Sequence, residues 1–381
     1  MRVLKTTILL AMLAAAPAHA QGSRADAVIG KAIAAMGGIE KIRARTSLVL
    51  RGMHYEGAYH QEFATGGSGN ALMTRMRPNL RVVGCVPALP GCDGKFGRIV
   101  EGYDGSDGWE LNGPRQRLVH AVNKARSALI CGAQFDPLFV DYRKRGFSAA
   151  YLGRQTLLGI KTEAVRIDHP GCPSETFYFD ARTYRLRMQR VSLPVHARGD
   201  AVDTVRVLSD LRPVAGVLMP FRSEEIAIAD GHVLFGEIWA SIEANTIADP
   251  AIFTAPEVHP SGSTALALAM LAAAPGKSSA ELLAMYDAFR ATAEGAAADT
   301  AYDMNWLGYE LLKVDNYPAA LAIFTRVIAE HPDSANAYDS LGDAYLQQGD
   351  IAAALAAFDK AISLDPTLRE TVRKRDALKR S

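Results

Sequence analysis

The stretch SANAYDSLGDAYLQQGDIAAALAAFDKAISLDP, residues 334–366, carries the strongest structural pattern in the chain. A copy of the same pattern lies 34 residues earlier. Matching positions of the two copies hold Gly308 and Gly342, Ala320 and Ala354, Phe324 and Phe358, and Pro332 and Pro366. The small residues let two helices approach closely, the phenylalanine fills the space between them, and the proline ends the second helix. The pattern predicts two successive helical hairpins.

A period of 34 residues is typical of the tetratricopeptide repeat (TPR). We predict a helical TPR unit over 278–381, with repeats over about 304–337 and 338–371 and then a capping helix to residue 381. Two repeats are fewer than the three that stability usually needs, so a further helix, Ser279–Ala293, is expected to pack on them. The TPR signature residues are Leu307, Gly308, Ala320, Phe324, Pro332, Tyr338, Leu341, Gly342, Tyr345, Ala354, Phe358, Ala361 and Pro366.

The first twenty residues have the pattern of a secretory signal peptide. Arg2 and Lys5 precede an apolar run over 6–16, and Ala18-His19-Ala20 is a small-x-small cleavage signal. Later in the chain no apolar run reaches the length of about 18 residues that a spanning helix needs. We therefore expect an exported, soluble protein, periplasmic or secreted, with at most peripheral membrane contact.

The net charge and the cysteines indicate which partners and which cross-links to expect. A net charge of +1 over 381 residues gives no electrostatic reason to expect a nucleic-acid partner. Four cysteines, Cys85, Cys92, Cys131 and Cys172, predict two disulfides in an exported chain. The short loop between Cys85 and Cys92 favours their pairing, which leaves Cys131 with Cys172, but three pairings are open. The spacing does not suit a zinc site.

Between the signal and the repeats, residues 21–256 predict a β-rich domain. A helix over 25–36 ends at a glycine pair, and from Ser47 onward apolar residues alternate with polar ones as in strands. The strands predict an antiparallel meander with a few helices on one face, an α+β fold. We predict a helical insertion at Leu118–Arg145. Residues 257–277, rich in Ser, Pro, Gly and Ala, are predicted to be a linker.

Several short segments of this domain resemble the LolA/LolB-like, outer-membrane lipoprotein-sorting-type family of periplasmic proteins. They include Met36-Gly37-Gly38, Tyr103-Asp104-Gly105 before Gly108-Trp109, Phe177-Tyr178-Phe179-Asp180, Ser209-Asp210-Leu211-Arg212-Pro213-Val214 and Phe253-Thr254. The resemblance spans most of residues 25–257. It implies an unclosed antiparallel β-barrel wrapped around helices, which holds acyl chains or another apolar ligand.

Large apolar side chains are concentrated on single faces of the predicted strands. They are either ordinary core or contacts to a ligand in a cavity, and the pattern leaves both interpretations open. The candidate apolar ligand contacts are Trp109, Phe177, Phe179, Met188, Phe235 and Trp239.

No catalytic motif, metal site or cofactor-binding motif stands out in the sequence. The best candidate for chemistry is the set His54, Glu56, His60 and Glu62, whose even spacing places them on one strand face. Such a face can bind a metal or transfer protons, but it is also typical of a solvated strand. We expect a chain that is not an enzyme and has no cofactor.

These observations predict a periplasmic protein that binds a lipid, a lipoprotein or another apolar ligand and captures a protein or peptide through its TPR unit. Two alternatives stay open. One is an envelope scaffold that binds no ligand and acts only through the TPR groove. The other is an unrecognised hydrolase.

Overall fold

The structure is a computed structural model that describes residues 18–56, 68–84, 99–112, 115–121, 123–191, 204–228, 231 and 233–380. The described chain folds into an open 13-stranded antiparallel sheet followed by a run of helices. The predicted α+β class, an unclosed antiparallel barrel with helices and then an all-helical unit, is confirmed. Residues 1–17 of the predicted signal peptide lie outside the described residues.

Two helices precede the strands, a third lies between the sixth and seventh strands, and the other helices follow the last strand. The strands are β1 (Ser47–Glu56), β2 (Ser68–Met76), β3 (Leu80–Val83), β4 (Ile99–Tyr103), β5 (Gly108–Asn112), β6 (Arg117–His120), β7 (Ser148–Leu157), β8 (Ile160–Asp168), β9 (Glu175–Asp180), β10 (Leu186–Val191), β11 (Thr204–Val214), β12 (Val217–Ala227) and β13 (Val233–Ala244). The helices are α1 (Ala18–Met36), α2 (Ile39–Ala44), α3 (Asn123–Gly132), α4 (Gly262–Ala273), α5 (Ser279–Arg290), α6 (Ala293–Ala297), α7 (Ala301–Lys313), α8 (Tyr317–Glu330), α9 (Ala335–Gln348), α10 (Ile351–Leu364) and α11 (Arg369–Arg380).

The strand order is β6-β5-β4-β3-β2-β1-β13-β12-β11-β10-β9-β8-β7. The first and last strands pair at the middle of the sheet, where Leu48 lies opposite Ala244. The two edges are β6 and β7, which are neighbours in sequence but lie at opposite ends of the sheet. The chain between them, residues 123–147, must therefore run from one edge to the other, and we call it the crossing segment.

The crossing segment and α1 pack on the same face of the sheet, which we call the inner face. Phe139 of the crossing segment makes edge-to-face contacts with Phe177 and Phe179, with ring centroids 5.0 and 5.2 Å apart. Val28 of α1 belongs to the same buried cluster, and Phe135 packs in a second cluster with Leu48. Aromatic burial of this kind is a large part of what holds the crossing segment on the sheet.

The opposite face of the sheet, the outer face, is covered over β1–β6 by the chain that follows β13. Trp109 is fully buried there and donates a hydrogen bond from Nε1 to the carbonyl oxygen of Phe253 at 2.9 Å. Phe253 ends a short 3₁₀ turn, Pro250–Phe253, that begins with the side chain of Asp249 as its cap. The outer face is therefore ordinary core in this half of the sheet.

The prediction of a helical insertion over Leu118–Arg145 was wrong for most of its length. Only Asn123–Gly132 is helical, and Leu118 lies in strand β6, opposite Leu111. Pairing with β6 satisfies backbone groups of β5 that would otherwise be exposed at an edge. The stretch after α3 is held in turns by Arg145, which donates to the side chain of Gln134 at 2.5 Å and to backbone carbonyls.

The linker prediction over 257–277 was also wrong, because α4 and a 3₁₀ turn, Ala274–Gly276, occupy most of this stretch. Alanine and leucine have high helix propensity, and Ala267 and Met270 are fully buried in the cluster that includes the first repeat. The helix thus supplies the extra packing that two repeats need.

The TPR unit has the predicted paired helices, α7 with α8 and α9 with α10. A Cβ built on Gly308 would lie 2.4 Å from the ring of Phe324, and one on Gly342 would lie 2.4 Å from Phe358. The glycines are therefore required for the close approach of each pair. The predicted helix that begins at Ser279 is present and carries a complete capping box between Ser278 and Glu281, but it ends at Arg290 instead of Ala293.

The capping helix α11 docks on α9 through a buried lysine. Lys374 is 6% exposed and donates to Asp339 and Asp343 at 2.6 and 2.7 Å. Among the helices in the described ranges, none combines the length and the apolar character needed to cross a bilayer.

Candidate functional site

The six candidate ligand contacts do not share one face of the sheet. Trp109 and Met188 lie in buried clusters of the outer face. Phe177, Phe179 and Trp239 lie on the inner face but are at most 6% exposed, since α1 and the crossing segment cover them. Phe235 alone of the six is partly exposed, and the pairing of Glu225 with it places it on the inner face. Partly exposed side chains of the inner face, such as Phe235, therefore lie towards β1–β5 and β11–β13.

That part of the inner face carries charged side chains on strands that are far apart in sequence. Arg75 of β2 lies opposite Arg81 of β3, and Arg206 of β11 lies opposite Glu225 of β12. Arg206 donates to Glu225 at 3.2 Å, so this second pair is neutralised. The first pair consists of two like charges, an arrangement that destabilises adjacent strands.

Arg75 and Arg81 are both deep in the protein and only partly exposed. Burial, and then the charge of Arg81, lower the pKa of Arg75 to about 10, and burial likewise lowers the pKa of Arg81. Arg81 donates to the carbonyl oxygen of Gly132 at 3.3 Å, whereas the Nε of Arg75 is buried without a hydrogen-bond partner in the described structure. A buried donor without a partner costs about 1–3 kcal/mol.

Two carboxylates near this region gain protons more easily than usual. Burial raises the pKa of Glu175, although a hydrogen bond from Gln189 at 2.6 Å opposes the shift. Burial also raises the pKa of Glu110. Of the two, Glu175 acts on Arg206 and Arg75, and its raised pKa makes it a weaker counter-charge for these arginines than an exposed carboxylate would be.

Glu237 is held in its charged form by its neighbours. Burial raises its pKa, but contacts with His54, Arg206 and Ser223 together bring the value below the ordinary one. The hydroxyl of Ser223 donates to Glu237, and the Nδ1 of His54 lies 3.8 Å from its carboxylate. This carboxylate is therefore engaged within the sheet.

Of the four candidate residues for chemistry on β1 and beyond it, His54 is the one whose side chain the structure describes. It lies opposite Glu237 on the inner face, with its ring 5.8 Å from that of Phe235. Glu56 ends β1, and His60 and Glu62 lie outside the described residues. Among the described side chains, no group of three His, Cys, Asp or Glu residues is arranged to hold a metal ion.

The crossing segment is anchored over the inner face by Asp136. This side chain is 7% exposed, forms an ion pair with Arg77 and accepts a hydrogen bond from Arg45 at 3.5 Å. The guanidinium of Arg77 also stacks on the ring of Phe135, 4.7 Å from its centroid. The segment is thus fixed at its centre by charge and by packing.

A disulfide between Cys131 and Cys172 fixes the end of α3 to the chain between β8 and β9. This was one of the two pairings that we favoured from the sequence, and it is confirmed. The other, between Cys85 and Cys92, lies outside the described residues.

The TPR unit joins the sheet at edge strand β6 through Asp303 of α7, which is fully buried. Arg115 and Arg117 donate to its two oxygens at 2.9 and 3.2 Å. Ser263 and Thr264 of α4 donate to it at 2.7 and 3.1 Å. A single carboxylate therefore connects the sheet, the helix that replaced the predicted linker and the first repeat.

A surface cavity of about 620 Å³ lies elsewhere, at the ends of the β7–β8 and β9–β10 hairpins. Its basic lining includes Arg154, Lys161, Arg182 and Arg187, with Asp180 beside them. Arg154 already pairs with Glu163 at 2.8 Å. The residues that line this cavity do not include Arg75, Arg81 or Arg206 of the inner face.

Sequence reasoning missed Arg75, Arg81, Arg206 and Asp303. The arginines occur in strands at alternating positions, which normally predicts a solvent-exposed face. Asp303 lies near the start of a helix, where an acid is usually a surface residue. The local sequence carries no signal that Asp303 is fully buried or that Arg81 lies beside the crossing segment.

Comparisons with known proteins agree with this division of the chain. Residues 307–368 match the family model of the tetratricopeptide repeat. The chloroplastic tetratricopeptide repeat domain-containing protein PYG7 of Arabidopsis thaliana is 31% identical over 86 residues, which are 23% of this chain and 29% of that relative. This chain therefore covers less than a third of the length of PYG7.

Two solved structures are similar to part of this chain at low sequence identity. A LolA-superfamily protein from Nitrosomonas europaea has a TM-score of 0.40 and 11% identity, over 61% of this chain and 97% of that one. A DUF1329 family protein from Desulfovibrio piger has a TM-score of 0.40 and 9% identity, over 60% and 97% of the two chains. The strand order and register define the N-terminal fold, and among the C-terminal helices residues 307–368 match the tetratricopeptide repeat.

Proposed function

We propose that this chain is an exported protein of the bacterial envelope with two binding functions. Its sheet domain binds a lipid, a lipoprotein acyl group or another apolar or amphiphilic ligand on the inner face. Its TPR unit binds a protein or peptide. The protein acts by binding and not by catalysis.

The ligand function is supported above all by apolar side chains that stay partly exposed on the covered face of the sheet. Met73 of β2 lies opposite Val83 of β3, next to the arginine pair, and Phe235 lies across the face on β13. All three are partly exposed, whereas Phe177 and Phe179 are fully buried under α1 and the crossing segment. Burying such surface against a ligand contributes about 25 cal/mol per Å² before the costs of binding.

The protein-binding function is supported by the repeat architecture. Stacked helical hairpins present extended surfaces to peptides or other proteins. The carboxylates of Glu110 and Glu101 on the sheet are close enough to act electrostatically on Lys313 at the end of helix α7. The first repeat therefore lies near the sheet. A partner on the repeats would therefore lie close to the edge of the ligand-binding face.

The test is native mass spectrometry of the full chain, purified gently from periplasm, followed by denaturation and lipid extraction. We expect a stoichiometric lipid, or uptake of a fluorescent fatty-acid probe by the empty protein. Met73→Asp should abolish uptake. Met53→Asp is the matched control, since Met53 is 43% exposed and lies on the outer face.

A protein that carries no lipid and takes up no probe would contradict the ligand function. The TPR unit would then be the functional surface, as in the scaffold alternative. Equal loss of uptake in the Met73→Asp and Met53→Asp variants would place the ligand somewhere other than the inner face.

A further inference from the structure

The charges of Asp136 and Glu101 act on Arg75 and Arg81 respectively, but neither acid lies close enough to form an ion pair with them. The two residues lie directly opposite each other on adjacent strands, and neither forms an ion pair with any carboxylate of the described residues. Like charges in this position repel, and partial burial weakens the screening that water would provide. An anion at the exposed part of this pair would relieve the repulsion.

Four carboxylates face the pair from neighbouring elements, but each is positioned or engaged elsewhere. They are Glu101, Asp136, Glu175 and Glu237. Three of them accept hydrogen bonds from other side chains, as described above. The fourth, Glu101, lies opposite Val83 and not opposite either arginine. The pair can therefore accept an external anion without competing with an existing ion pair of its own.

Apolar side chains continue the same face next to the arginines. Met73 and Val83 form the next inner-face pair along β2 and β3, and Leu50 of β1 lies opposite Met73. The surface thus changes from charged to apolar within two residues of each strand. A ligand with one anionic end and one apolar chain matches this change.

We propose that Arg75 and Arg81 bind the anionic group, a phosphate or a carboxylate, of an amphiphilic ligand whose apolar chain lies along Met73 and Val83. The planar guanidinium group donates paired hydrogen bonds to both kinds of anion, which gives orientation as well as affinity. This assignment rests on the proposed ligand function and specifies the class of ligand.

The ionisation behaviour of the region is consistent with this role. With a pKa of about 10, Arg75 stays charged at neutral pH in spite of its burial. Burial raises the pKa of Glu175, so this carboxylate offers less competition than an exposed one would. The local balance of charge favours an incoming anion.

The experiment is calorimetric titration of the full chain with three probes: dodecyl phosphate below its micelle concentration, dodecyl maltoside and inorganic phosphate. We expect dodecyl phosphate to bind about 10–100-fold more tightly than the maltoside, the range for hydrogen bonds to a charged group. Arg75→Met should remove this preference and leave maltoside binding unchanged. Arg212→Met is the matched control, because Arg212 lies on β11, away from the arginine pair, is 53% exposed and forms an ion pair with Asp210 of the same strand. This variant should leave all three affinities unchanged.

Arg75→Met should also raise the melting temperature, since it removes an unpaired charge, and Arg81→Met gives the same test on the opposite strand. Equal binding of dodecyl phosphate and maltoside by the wild type would overturn the arginine assignment and leave the ligand function standing. Inorganic phosphate binding as tightly as dodecyl phosphate would overturn the amphiphile assignment. Absence of binding by every probe would contradict both the assignment and the proposed function.

Discussion

Arg117 of β6 and Asp303 of α7 form an ion pair at 3.2 Å in which both side chains are buried, with exposures of 4% and 0%. The guanidinium of Arg117 also stacks on Trp306, 4.0 Å from the ring centroid. The pair joins the sheet to the first repeat, and its two residues lie 186 positions apart in the sequence. Their relative position is therefore fixed by a contact whose loss leaves a charge without a partner.

Replacing Asp303 by Asn should lower the free energy of unfolding by about 3–5 kcal/mol, because Arg117 would keep a buried charge without compensation. Urea denaturation measures the loss. The double variant with Arg117→Met should recover part of it, since the stranded charge is then removed. Asp210→Asn is the control at an exposed pair and should change little. A loss no larger than in this control would contradict a structural role for the buried pair.

The two repeat glycines give a second prediction. Gly308→Ala and Gly342→Ala should each destabilise the protein by about 1–3 kcal/mol, because the new methyl group meets the ring of Phe324 or Phe358 at 2.4 Å. Gly30→Ala in α1 is the matched control. Nothing lies within 4 Å of its new Cβ, so it should stabilise by about 0.4–1 kcal/mol. Chemical denaturation of the three variants checks the signs, and equal effects would argue against close helix packing in the repeats.

The disulfide should stabilise the crossing segment. Replacing Cys131 and Cys172 by Ser frees a loop with a sequence separation of 41 and should cost about 2–4 kcal/mol in the free energy of unfolding. The double serine variant is preferable to a reducing agent, which would also reduce the second predicted disulfide, between Cys85 and Cys92. Hydrogen exchange in α3 should increase in the variant. An unchanged urea midpoint would show that the bond adds no constraint.

Acid should weaken the attachment of the crossing segment to α2. Hydrogen bonds from Arg43, at 2.9 and 2.6 Å, lower the pKa of Asp141 below its ordinary value of 3.8, although burial opposes them. A carboxyl whose pKa is lower in the folded state stabilises the fold above its unfolded pKa, and this contribution is lost as the pH falls through the folded value. Asp141→Asn should therefore lower the melting temperature at pH 7, and the difference from wild type should shrink below about pH 3.8. A constant difference from pH 7 to pH 3 would exclude this contribution.

The sequence by itself determined those features that depend on local periodicity. The 34-residue recurrence of Gly308 and Phe324 at Gly342 and Phe358 predicted the helix pairs, because small and large residues at fixed helical spacing have one good packing. The capping box at Ser278 located the start of α5 to the residue. Alternation of apolar and polar residues from Ser47 onward predicted that this domain is built of strands.

Only the tertiary structure decided which of these strands are neighbours and what their faces meet. The pairing of β1 with β13 sets the strand order, and that order brings Arg75 and Arg81 onto the same face as Arg206. The crossing segment lies beside the arginine pair, through the carbonyl oxygen of Gly132, and distant segments bury Asp303 completely. An alternating arginine or a helical aspartate has the same local pattern whether water or another segment lies above it, so its burial and its chemistry follow from long-range packing and not from local sequence.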